Sequence, residues 1–145
     1  MTGAALVPEL ACRDAQASAA FYQQVLGFAC LYDRPAQGFF YLSHQGAELM
    51  LEQLGDDTWL ATPEGPLGRG MHLQIMTSDV DTVHARCATA NARIFRPLET
   101  AWYRTENGFE GQRQFVVLDP DGYMLRFAQD LGHRATAPDD GRIVA

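Results

Sequence analysis

Lysine is absent from this chain of 145 residues: all eleven basic side chains are arginine, set against eighteen acidic ones. The formal charge is therefore 11 − 18 = −7. So acidic a chain has no basic stripe large enough to grip a phosphate backbone, which argues against nucleic acid as a partner. Cysteine is scarce as well. Cys12, Cys30 and Cys87 are odd in number and never close-spaced, so they support neither a disulfide framework nor a zinc site, and they read as buried thiols. No apolar run approaches the roughly 18 residues that a membrane span needs. The opening Met-Thr-Gly-Ala-Ala-Leu-Val-Pro-Glu has neither the positive flank nor the apolar core of a signal peptide. These absences point to a cytoplasmic protein with no membrane partner.

What is present is a folded composition, 47% hydrophobic and 20% charged. A chain of this length buries roughly 68–70% of its unfolded surface, enough to hold one core without staples. Residues 5–12 read as a strand with Pro8 near its start, and Asp14 can cap a helix over 15–26 that ends at Gly27. Residues 28–33, 39–43 and 47–53 read as strands, the last two joined through His44-Gln45-Gly46. Residues 54–70 form a long connection rich in Gly, Pro and Asp that carries Trp59.

The second half repeats the first. Residues 71–78 predict a strand, Asp79 a cap and 80–90 a helix; Asp14 and Asp79 stand 65 residues apart. Strands follow over 92–98, around Trp102, and over 115–118 and 123–128, with turns at Asn107-Gly108 and at Asp119-Pro120-Asp121-Gly122. The predicted fold is α+β: two tandem βαβββ modules forming curved mixed sheets around a cleft, with the helices on the convex side. Module one covers about 5–53, the linker 54–70 and module two about 71–130, all within a single domain. The polar tail 131–145 is expected to fray from residue 132.

Arg13-Asp14, Ser18 to Tyr22 and Leu26-Gly27-Phe28 in the first half, with His72 to Ile75, Asp79-Val80-Asp81 and Phe115 to Tyr123 in the second, carry a resemblance. The pattern resembles the glyoxalase/bleomycin-resistance/extradiol-dioxygenase superfamily, also called vicinal oxygen chelate, over about residues 5–130. Enzymes of that superfamily hold one divalent metal with His and Glu ligands from four strand positions. Here those positions fall on Val7, Met50, His72 and Arg126. Only His72 can donate to a hard metal, and a permanent guanidinium repels one. The resemblance therefore implies no metal and no cofactor in this chain.

Within the superfamily the chain is most similar to the bleomycin-resistance proteins, through Pro8, Gly38-Phe39, Trp59, Trp102 and Phe115 to Asp121. That resemblance implies a homodimer whose interface grooves sequester a small molecule, with no catalytic residues. The ligand would be bleomycin-like, planar or cationic, or another planar or peptide-like molecule, including a carboxylate. Trp59, Trp102, Phe39 and Phe109 would supply aromatic faces. Glu110 joins other acids beside those aromatics, and Met50, His72 and Arg126 face the cleft. Strand alternation adds Glu9, two residues beyond Val7, and Gln74, two beyond His72. Glu9 is expected to face Arg126. Two enzymatic alternatives stay open: a metal-dependent glyoxalase, isomerase or dioxygenase, and a metal-free enzyme using Glu9, Glu52 or His72 as acid or base. A scaffold role without a ligand is a further one.

Overall fold

The structure is a computed structural model and describes residues 3–56, 60–61 and 63–145. The elements run β1 (Glu9–Cys12), α1 (Ala15–Gln24), β2 (Ala29–Arg34), β3 (Phe39–His44), β4 (Ala47–Gln53), β5 (Leu73–Met76), α2 (Val80–Thr89), β6 (Arg93–Thr105), β7 (Gly108–Leu118), β8 (Met124–Arg134) and β9 (Arg142–Val144). The first sheet has the order β1-β4-β3-β2 and the second β5-β8-β7-β6-β9. Numbered within each half, both orders begin 1-4-3-2, and both first strands pair parallel to the fourth. The predicted βαβββ repeat and α+β class are what the fold has.

The chain forms two compact units. The first comprises residues up to Met71 and the segment Leu118–Met124; the second comprises His72–Val117 and Leu125–Ala145. The Asp-Pro-Asp-Gly turn thus belongs to the first unit, although it lies in the second repeat.

Alternation decides which side chains cover each helix. In β4, Leu49 and Leu51 are buried on the side that also holds Leu42 of β3, and with Tyr22 and Leu26 they build the first core. Each such side chain is worth about 1.5–3 kcal/mol when fully buried. Helix α1 starts at Asp14, whose carboxylate accepts from the Ala17 N–H at 3.0 Å. Gln53, at the end of β4, adds a second anchor by accepting from the Ala15 N–H at 2.8 Å. The second unit uses the same devices. Asp79 accepts from the Thr82 N–H at 3.1 Å, and Gln129 of β8 accepts from the Val80 N–H at 3.0 Å. Both satisfy backbone donors that a helix start leaves without partners.

The Asp-Pro-Asp-Gly turn locks α1 from outside its own repeat. Buried Asp119 accepts from the Tyr22 hydroxyl at 2.7 Å and from the backbone N–H groups of Asp121 and Tyr123. Asp121 accepts from the Arg13 N–H at 3.0 Å and the Ser18 hydroxyl at 3.1 Å. Burial pushes the Asp119 carboxyl above its ordinary range, opposed by these hydrogen bonds. Gly38 shows why a glycine precedes β3: its φ is +66°, and a Cβ there would sit 2.3 Å from the Cβ of Gln53.

Two expectations give way. The segments around 92–98 and 101–103 are one strand, β6, of thirteen residues. The tail is not frayed from residue 132: β8 runs to Arg134, and β9 pairs parallel to Ala101–Tyr103 of β6. The contacts that hold it are distant in sequence. The Trp102 indole N–H donates to the Asp140 carbonyl at 3.4 Å, and Arg142 grips Glu99 with two hydrogen bonds of 3.1 and 2.8 Å.

Candidate functional site

In the first unit, the sheet face turned away from Leu49 and Leu51 carries Glu9 on β1, Met50 and Glu52 on β4, Phe39 and Tyr41 on β3, and Tyr32 and Arg34 on β2. Register brings them into rows: Glu9 opposite Met50, Met50 opposite Tyr41, and Tyr41 opposite Tyr32. A concavity of about 730 Å³ opens over this face. Its floor is aromatic at one end and acidic at the other.

At the aromatic end, Tyr32 stacks on Tyr41 with ring centroids 4.9 Å apart and planes 19° apart. Tyr41 is buried beneath it, whereas Tyr32 remains 46% exposed and presents a ring to the concavity. Phe39 lines the same concavity, but it is largely buried and the Arg34 guanidinium lies 3.9 Å above its ring. Tyr32 is the platform that the sequence reading missed. A register shift between Cys30 and Tyr32 sets it opposite Tyr41, and no local pattern announces that shift.

At the acidic end, burial first and the neighbouring Glu52 carboxyl next push Glu9 above its ordinary range, while Arg34 opposes the shift. Asp56 lines the same concavity. The face therefore combines one exposed ring with three acidic groups and one guanidinium, a chemistry suited to a flat cation.

In the second unit, the face opposite α2 carries Gln74 on β5, Arg126 on β8, Gln112 and Gln114 on β7, Glu99 and Tyr103 on β6, and Arg142 on β9. Gln74 pairs opposite Arg126. The Arg126 Nε donates to the Gln114 carbonyl oxygen at 3.0 Å, and one terminal nitrogen donates to the Tyr103 hydroxyl at 2.8 Å and to Gln112 at 3.1 Å. Gln114 donates its amide to Glu99 at 3.0 Å. The Arg142 hydrogen bonds hold the Glu99 carboxyl down to about 2. A cavity of about 270 Å³ lies over this network. Arg126 is thus held at Nε and one terminal nitrogen by partners of its own unit, and the groups acting on Glu9 likewise belong to the first.

The remaining expected residues divide clearly. His72 and Gln74 are exposed, His72 just ahead of β5. Glu110 is exposed and pairs with His133 at 2.8 Å, and Phe109 is half-buried; neither lines the cavity over Arg126. Trp102 is 1% exposed and cannot offer a face to a ligand. Its ring fills the space over Gly111, where a Cβ would lie 2.4 Å from it, so an aromatic expected in the groove is a core residue. Trp59 lies outside the described residues.

The metal positions implied by the resemblance do not fit a metal. Val7 and Met50 bring no hard donor to the first unit, and the second offers only exposed His72 ahead of β5 and, at the Arg126 position, a guanidinium already hydrogen-bonded to Gln112, Gln114 and Tyr103. Among the described residues no group of three or more His, Cys, Asp or Glu side chains is placed to hold an ion. Among the described residues no helix is long and apolar enough to cross a membrane.

Comparison with known proteins agrees with this geometry. The family model described as the Glyoxalase/Bleomycin resistance protein/Dioxygenase superfamily matches residues 5–127. TioX from Micromonospora sp. ML1 is similar at 28% identity, with a TM-score of 0.64 over 89% of this chain and 100% of that one. A protein of unknown function from Agrobacterium tumefaciens str. C58 is 26% identical, with a TM-score of 0.66 over 90% and 98%. A lactoylglutathione lyase from Agrobacterium tumefaciens, 21% identical with a TM-score of 0.58 over 88% and 94%, shares the fold. No curated protein matches the chain. The chain belongs to the glyoxalase/bleomycin resistance protein/dioxygenase superfamily.

Proposed function

From membership of that superfamily, we propose that this chain is a metal-free small-molecule-binding protein of bleomycin-resistance type that sequesters a planar or cationic drug-like ligand. The observation that carries this reading is the face of the first unit. There Tyr32 offers an exposed ring beside Glu9, Glu52 and Asp56, while Met50 occupies the position where metal-using relatives need a donor. A ring stacks on Tyr32 and a positive group is drawn to the carboxylates. Trp59 belongs to the same proposal as a further aromatic face. His72, Gln74 and Arg126 belong to it as ligand-facing residues of the second unit. A cytoplasmic homodimer with its groove at the subunit interface completes the reading. Leu31 and Tyr32, exposed on the edge strand β2, support that assembly.

The test is a binding titration with metal-free bleomycin. Tyr32→Ala should weaken binding by about 1–3 kcal/mol, the range of an aromatic anchor. Because the Glu9 carboxyl is held above its ordinary range, wild-type binding of the cationic drug should strengthen as pH rises through that value. Glu9→Gln should flatten this pH dependence. Unchanged affinity in Tyr32→Ala, together with an unaltered pH profile in Glu9→Gln, would remove this face from the account.

A further inference from the structure

The second unit's cavity is built from donors. In the network over β6, β7 and β8, the acceptors are already engaged. The Gln114 carbonyl oxygen faces the Arg126 Nε, and both Glu99 oxygens accept from Arg142, one of them also from Gln114. The orientation of Gln114 is forced, because a guanidinium can only donate and an ionised carboxylate can only accept. The Tyr103 oxygen in turn accepts from both Arg126 and Gln114. Arg142 also hydrogen-bonds the Tyr103 side chain, so this oxygen is surrounded by donors and its own O–H must point away from them. Among the described residues that hydrogen meets no acceptor, and the second terminal nitrogen of Arg126, Nη1, makes no hydrogen bond.

The charges agree with the donor bookkeeping. Arg96, Arg126 and Arg142 line the cavity against Glu99 alone among its acids. In a chain of net charge −7 this is a local excess of positive charge. Arg126 is half-buried on the sheet and tied at Nε and one terminal nitrogen, so its free edge has a fixed direction. With Nε and one terminal nitrogen engaged, Nη1 alone is left, and it offers a carboxylate charge-assisted N–H donation from a fixed position, which a mobile ammonium would not.

We infer that this cavity of the second unit is an anion site, in which the free edge of Arg126 and the Tyr103 hydroxyl receive a carboxylate group of a small molecule. The inference rests on the proposed binding function only in treating this sheet face as ligand-bearing. It adds the chemistry that the face selects, a group opposite in charge to the one suited to the first unit.

The experiment is an NMR titration of the isotope-labelled full chain with three separate probes: benzoate, its neutral counterpart benzamide, and inorganic phosphate. Benzoate should saturate the shifts of the Arg126 Nε–H and of the Gln112 and Gln114 side-chain amides. Benzamide and phosphate should bind at least about ten-fold more weakly, the cost of losing a charge-assisted or geometrically matched pair. Arg126→Gln should weaken benzoate by about ten-fold or more, and Tyr103→Phe by less. Arg126→Lys, which keeps the charge but not the planar guanidinium that the network holds in place, should fall between wild type and Arg126→Gln and carries the test if Arg126→Gln does not fold. Benzamide or phosphate binding as tightly as benzoate, no saturation by benzoate, or unchanged affinity in the Arg126 variant that folds would each overturn the inference. A parallel titration with trimethylphenylammonium, read at Tyr32 and Tyr41, separates the two proposals. Cation binding without benzoate binding refutes this inference alone, and benzoate binding without cation binding refutes the reading of the first unit alone.

Discussion

Replacing Tyr22 by phenylalanine removes one oxygen from the buried junction between α1 and the Asp-Pro-Asp-Gly turn. The hydroxyl is fully buried and donates at 2.7 Å to the Asp119 carboxylate. A hydrogen bond to a charged acceptor contributes about 1.5–3 kcal/mol. The ring is kept, so no cavity larger than the oxygen opens and transfer terms nearly cancel. The expected loss at neutral pH is therefore about 2 kcal/mol. Its pH dependence follows from linkage. The folded Asp119 carboxyl lies above its unfolded value, so its contribution to stability is fully present below the unfolded value and is lost as pH rises through the folded one. Tyr22 limits that rise by stabilising the carboxylate. Without it the folded value climbs further, and the variant loses more stability on the way to neutral pH. In acid, where Asp119 is protonated, the hydrogen bond is between neutral groups and its loss costs about 1 kcal/mol. Urea unfolding at about pH 3, below the ordinary aspartate value, and at about pH 7.5 measures both differences. A neutral-pH difference below about 0.5 kcal/mol, or a gap that narrows as pH rises, would refute the reasoning.

Two further outcomes follow from the second unit. Trp102→Ala should destabilise the chain by about 3–5 kcal/mol, the usual cost of emptying a buried tryptophan site, and should leave affinity for bleomycin at the Tyr32 face unchanged; denaturation and titration of the same variant check both halves. Arg142→Ala should return the Glu99 carboxyl from about 2 toward 4.5. The lowered value contributes stability above about 4.5 that disappears as pH falls toward 2, so this variant should show a flatter acid limb of stability than wild type; carboxyl chemical shifts against pH read the change directly.

The repeat was legible because it is written in local signals: a capping aspartate at the same place in each half, helical spacing after it and alternating strands beyond. Less visible were the devices joining segments far apart. Gln53 and Gln129 each accept from the first turn of a helix that lies earlier in the chain, and a lone glutamine at a strand end carries no such message. The tail strand β9 is only three residues long, Arg142–Val144, and is held by Glu99 and Trp102, some forty positions away. The candidate site was legible to the extent that alternation set it: Glu9, Met50, Gln74 and Arg126 all lie on the faces turned away from the helices. Aromatic composition misled where burial decides. Trp102 looked like a groove residue because a tryptophan beside acids resembles a binding face, yet Gly111 opens a space under it that only a core side chain fills. Tyr32 was passed over because its place depends on a register shift.

The most direct test of metal-free sequestration is calorimetric titration of the purified, chelator-stripped chain with metal-free bleomycin at two salt concentrations, repeated after adding back a divalent metal. The account predicts heat that saturates near one drug per chain, with the same affinity before and after metal is restored, and weaker binding at the higher salt because the acidic face draws a cation. Binding that appears only once metal is added, or no heat at either salt concentration, would contradict it.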